Sequence, residues 1–74
     1  MTKLPVVSGE EVVRALAKIG FALDHQTGSH MILREVAAPH RRTTVPRHKE
    51  IAKGTLRAIM RDTGLTPERL RDLL

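Results

Sequence analysis

Four histidines, at positions 25, 30, 40 and 48, are the side chains of this 74-residue sequence best suited to move a proton near neutral pH, because an unperturbed imidazole titrates at about 6.5. His30 is distinguished by its setting. It opens an extended run directly after Gly28-Ser29, at the mouth of a tight turn where backbone N–H groups can face an anion. The plain alternative is an inert histidine on a hairpin rim. The four histidines lack the spacing of metal-ligand pairs, so no metal and no other cofactor is expected. Ser29 adjoins His30, but neighbours on a strand point to opposite faces. This disfavours a serine-histidine nucleophile and leaves Ser29 to shape the turn with Gly28.

A proton-transferring group becomes a site when something holds the substrate beside it. Thirteen Lys and Arg stand against eight Asp and Glu, for a net charge of +5. The balance is uneven along the chain. Residues 1–40 carry four basic and four acidic side chains, whereas residues 41–61 carry seven basic and one acidic. Such a segment in a folded domain suits a polyanion, because clustered Lys and Arg release its counterions. Arg47, Lys49, Lys53 and Arg57 occupy a strand-to-helix connection and a helix start, where unpaired backbone N–H groups also favour phosphate. A solvated charged face without a ligand is the alternative for each.

The elements that must position these groups are read from periodicity. Ser8-Gly9-Glu10-Glu11 forms a capping box and predicts a helix from about residue 9 to 19, stopped by Gly20. Alternation from Phe21 to Gln26 and from His30 to about Val36, around Thr27-Gly28-Ser29, predicts a β-hairpin. Thr43-Thr44-Val45 reads as a third strand ended by Pro46. Leu56, Ile59 and Met60 place a helix from near Gly54 to Gly64, and Thr66-Pro67 opens a last short helix. The expected class is α+β with order α-β-β-β-α-α, a three-stranded antiparallel sheet with helices on one face and the other face free. A three-residue hairpin loop is expected, since it pairs Phe21 and Leu23 with Met31 and Leu33. That register turns His30 to the free face and sets His25 opposite Met31, towards the helix side.

Composition removes several classes. No cysteine is present, so disulfide frameworks and cysteine zinc sites are excluded. No apolar run approaches the roughly 20 residues of a membrane span, and an anionic membrane surface fits poorly without an aromatic amphipathic face. The N-terminal residues lack the roughly 7–15-residue apolar region of a secretory signal, which leads to the expectation of a cytoplasmic protein. The length accommodates a single domain, residues 1–74, with a thin aliphatic core around Phe21, the sole aromatic residue.

Metal-independent RNA cleavage needs a base for the ribose 2′-hydroxyl proton, an acid for the leaving 5′-oxygen and cations for the crowded phosphate. One histidine and several Lys or Arg are its minimum set. The order and spacing of Lys3-Leu4-Pro5, Val7-Ser8-Gly9, Ile19-Gly20-Phe21, Gly28-Ser29-His30, Val45-Pro46-Arg47-His48 and Lys53-Gly54-Thr55-Leu56-Arg57-Ala58-Ile59 resemble the HicA family of toxins from HicA/HicB toxin–antitoxin modules. The resemblance implies a fold like the double-stranded-RNA-binding domain and a ribonuclease that cleaves messenger RNA. It also implies growth arrest held in check by a HicB-type antitoxin, and a catalytic role for the histidine of the Gly-Ser-His motif, here His30. The segment Ala37-Ala38-Pro39-His40-Arg41-Arg42 departs from the short acidic or glycine-containing turn common between the second and third strands of the family.

Three functions follow as expectations. The first is an endoribonuclease with His30 as general base or acid and with Gly28, Ser29, Arg47, Lys49, Lys53 and Arg57 on the RNA. The free toxin would be monomeric, and its antitoxin would cover His30 and the basic rim. The second is a non-catalytic RNA-binding module of the same fold, and the third is an interaction domain for an acidic protein.

Overall fold

The computed structural model describes residues 3–74; Met1 and Thr2, the first residues of the expected 1–74 domain, lie outside the described residues. The element order is α1 (Gly9–Ala17), β1 (Phe21–Thr27), β2 (His30–Glu35), β3 (Arg42–Pro46), α2 (Lys53–Thr63) and α3 (Pro67–Leu73). The three strands form one antiparallel sheet in the order β1-β2-β3. The α-β-β-β-α-α order and α+β class match the expectation.

Local signals account for the helix ends. The Ser8 hydroxyl accepts a hydrogen bond from the Glu11 N–H at 3.1 Å, and the Glu11 carboxylate accepts from the Ser8 N–H at 2.9 Å. A cap of this kind is worth about 1 kcal/mol. Gly64 ends α2 at φ +77°, a left-handed conformation that only glycine adopts without strain. The Thr66 hydroxyl caps α3, with Pro67 in its first turn. Gly54 is the second residue of α2, and a methyl group added there meets no atom within 4 Å. Gly54→Ala is therefore expected to raise stability by about 0.5–1 kcal/mol, since it removes unfolded-chain entropy without a clash. A lower urea midpoint would show that the helix start needs glycine.

One cluster of buried side chains holds the layers together, with Leu16, Leu33, Val45, Leu56, Ile59 and Leu70 at most 2% exposed. Met31, Leu33, Thr43 and Val45 alternate inward from β2 and β3, and Phe21 joins them from β1. Helix α1 packs on β1 and β3, and α2 packs on β3. The Lys18 ammonium donates to the Leu73 carbonyl at 2.7 Å, tying α1 to the end of α3.

The hairpin differs from the expected register. Its loop has two residues, Gly28 and Ser29, with Thr27 opposite His30 and His25 opposite Ile32. The pairing then shifts by one residue between Leu23 and His25, and Leu23 faces Leu33. A bulge at Asp24 reconciles the two halves. The inner half keeps the expected apolar pairing, and the extra residue turns His25 over to the face opposite the core. His25 thus shares a face with His30, rather than pointing to the helix side.

Candidate functional site

The turn that carries His30 is built from both sides. Gly28 takes φ +55° at the first turn position, as two-residue hairpin loops with a leading glycine require. The Ser29 carbonyl accepts a hydrogen bond from the Arg47 N–H at 2.6 Å, and His30 pairs with Pro46 across the ladder. The segment after β3 is held in turn by α1. The Gly9 N–H donates to the His48 carbonyl, and the Ile51 N–H donates to the Val7 carbonyl, both at 2.9 Å. Gly9 is buried, and a Cβ there would overlap the Pro46 carbonyl oxygen. The helix N-terminus, the β3–α2 connection and the hairpin turn therefore form one hydrogen-bonded corner, with His30 on it.

The His30 side chain is exposed and makes no hydrogen bond or ion pair among the described residues. An imidazole left free on a rigid strand end is available to a ligand. Residues 30, 32 and 34 share one face of β2, opposite the buried Met31 and Leu33. Arg34 lies directly across from Arg42 on β3. The face that carries His30 therefore also carries two guanidinium groups.

Of the residues expected at the site, Gly28, Ser29, His30 and Arg47 come together at this corner. Arg47 is exposed and lies 3.8 Å from the Glu10 carboxylate, a loose pair in solvent. Lys49 follows in the exposed connection to α2. Lys53 and Arg57, one turn apart on α2, line a separate groove with Lys3, Leu4, Val6 and Met60. Arg34, Arg42 and His25 complete the His30 face although sequence reasoning did not select them. The alternation along β2 carried the signal for Arg34, while Arg42 and His25 depended on cross-strand register.

Three acidic groups report the electrostatics. The His25 ring, with Nδ1 at 2.9 Å from Asp24 Oδ2, holds the Asp24 carboxyl below its ordinary value, helped by Arg42 and Arg34. Hydrogen bonds from the Arg41 side chain and N–H lower Glu35, and the Ser8 N–H and hydroxyl lower Glu11. The Arg41–Glu35 pair, at 3.0 Å and 2.9 Å, closes the β2–β3 loop.

All three groups are stronger acids folded than unfolded. The stability they add is fully present above the ordinary carboxylate range and is lost as pH falls through their depressed folded values. Urea midpoints are accordingly expected to fall between pH 6 and pH 3, with a shallower fall for Glu35→Gln. An unchanged slope in that variant would remove Glu35 from the account.

Among the described residues no three His, Cys, Asp or Glu side chains gather as metal ligands, and no helix is long and apolar enough to cross a membrane. No curated protein matches the chain. A family described as the HicA toxin of bacterial toxin–antitoxin systems matches residues 9–65, from the first residue of α1 to the residue after the α2 cap. This span contains Gly9, the hairpin turn, the β3–α2 connection and both arginines of the His30 face, and the chain belongs to the HicA toxin family.

Proposed function

We propose that this toxin is a metal-independent endoribonuclease that cleaves messenger RNA, with His30 as its proton-transfer group. The observation that carries the reading is the exposed imidazole on a hydrogen-bonded turn, within the Gly28-Ser29-His30 motif and on the same sheet face as Arg34 and Arg42, two rows further along the strand. In the reaction the ribose 2′-oxygen attacks phosphorus as its proton passes to a base. The bond from phosphorus to the 5′-oxygen breaks as that oxygen takes a proton from an acid. A 2′,3′-cyclic phosphate and a 5′-hydroxyl result. His30 serves as base or acid, and the cations offset the charge that gathers on the phosphoryl oxygens.

Gly28 and Ser29 present the turn to the phosphate, while Arg47, Lys49, Lys53 and Arg57 extend the contact to neighbouring phosphates. RNA affinity is expected to fall steeply with salt, by about 10³-fold or more between 50 and 200 mM if about six phosphates are contacted. A flat salt response would contradict the basic-rim assignment. Arrest of translation and growth follows from loss of message. The protein acts in the cytoplasm as a monomer when free of its antitoxin. A HicB-type antitoxin neutralises it by covering His30 and the basic rim; a complex that left His30 open to RNA would contradict this.

The test is incubation of the purified protein with labelled single-stranded RNA in EDTA. Shortened products support the ribonuclease. A gel shift without shortening replaces it with a binding module.

A further inference from the structure

A cleft that the cleavage chemistry does not use begins on the face that carries His30 and runs over β3 to α2. This space of about 450 Å³ is lined by His25 on β1, Ile32 on β2, Arg42, Thr43 and Thr44 on β3, and Thr55, Ala58, Ile59 and Asp62 on α2. His25, Ile32 and Thr44 form one cross-strand row. The adjacent row on the same face is Thr27, His30 and Pro46. Two residues along a strand cover about 6.8 Å, so the cleft starts one row from the proposed reacting group.

Its lining suits a planar ring with a polar edge. Ile32 and Ala58 supply apolar surface, and the His25 imidazole is the one ring on the lining, since Phe21 is buried in the core. The His25 ring is steadied by Asp24 through Nδ1, and the Asp24 bulge is what brings it to this face. Histidine is among the side chains on which unpaired RNA bases stack. Asp62 Oδ2 accepts a hydrogen bond from the Thr43 hydroxyl at 3.2 Å, which leaves Oδ1 for a ligand. Among the described residues the Arg42 guanidinium makes no hydrogen bond or close ion pair, although its charge acts on Asp24.

We propose that this cleft is a nucleobase pocket, which receives the unpaired base next to the bond cleaved at His30 and reads it with Asp62 and Arg42. The inference rests on the ribonuclease reading and supplies it with a source of sequence preference. A carboxylate only accepts and a guanidinium only donates. Guanine matches both, since it offers N1–H and its N2 amino group to the carboxylate and O6 and N7 to the guanidinium. Uracil offers a single N–H between two carbonyls and fits the pair poorly.

The test uses His30→Ala protein, so that RNA stays intact, and oligouridylate hexamers with a single central guanine, adenine, cytosine or uracil. Affinity is read by fluorescence anisotropy and location by amide chemical-shift changes. The guanine hexamer is expected to bind roughly fivefold or more tightly than the uracil hexamer, with shifts centred on His25, Ile32, Thr44 and Thr55. Adding His25→Ala should weaken guanine-hexamer binding by roughly five- to tenfold, and Asp62→Asn should abolish the preference. Asp62→Asn keeps a carbonyl oxygen for the Thr43 hydroxyl but puts an NH2 donor in place of the other acceptor, and Thr55→Val, on the partly exposed helix surface, serves as a second variant that should lower guanine affinity.

Equal binding of all four hexamers, or shifts that bypass the cleft, would overturn the pocket. Failure of the wild-type protein to cleave RNA while the guanine preference persists would overturn the ribonuclease and keep the pocket. His30-dependent cleavage without any base preference would do the reverse.

Discussion

His30→Ala is expected to lower RNA cleavage by about 10²–10⁴-fold, the range over which a positioned acid or base contributes to catalysis. The fold should be unaffected. The side chain is exposed and makes no hydrogen bond or ion pair among the described residues, and surface replacements of that kind stay within about 0.5 kcal/mol. RNA affinity should change little, because Arg34, Arg42 and the basic connection still meet the phosphates. Single-turnover rates, urea midpoints and anisotropy on the same preparations separate the three quantities. Cleavage within threefold of the wild type would move the proton transfer to another group.

Gly9→Ala is expected to produce the largest loss of stability, about 2–3 kcal/mol, typical of a severe overpacking. A small domain of this size has only about 3–5 kcal/mol to lose. The added methyl group would meet backbone and not a flexible side chain: the Pro46 carbonyl oxygen, its carbon at 3.1 Å and the Arg47 Cα at 3.3 Å. Relief by moving that segment would stretch the Gly9–His48 and Arg47–Ser29 hydrogen bonds. The variant should therefore lose stability and also loosen the turn under His30. Urea denaturation measures the first effect, and amide exchange at Arg47 the second. A midpoint equal to the wild type would show that the corner is not clamped by α1.

The helices were legible because their signals are local. Ser8 with Glu11, Gly64, and Thr66 with Pro67 each cap within a single turn, and the apolar spacing of Leu56, Ile59 and Met60 faces one core. The hairpin was legible in its strands but not in its register. A bulge adds one residue without changing composition, so nothing near Asp24 announced that His25 would change faces. The pairing of Arg34 with Arg42 joins residues on different strands and required the register of β2 against β3. The charge run from residue 41 to 61 drew attention to α2, where Lys53 and Arg57 line a groove of their own. His30 itself was legible from its place after Gly28-Ser29, and the resemblance to the toxin family carried its assigned role.

The most direct measurement of the central claim, proton transfer from a ribose 2′-hydroxyl at the His30 site, compares two labelled strands of one sequence in EDTA. One is RNA, and the other carries a 2′-O-methyl group at every nucleotide. The account predicts that the protein cuts the RNA to products ending in 2′,3′-cyclic phosphate and 5′-hydroxyl, and leaves the methylated strand intact. Cleavage of both strands, or 5′-phosphate ends on the RNA products, would contradict it.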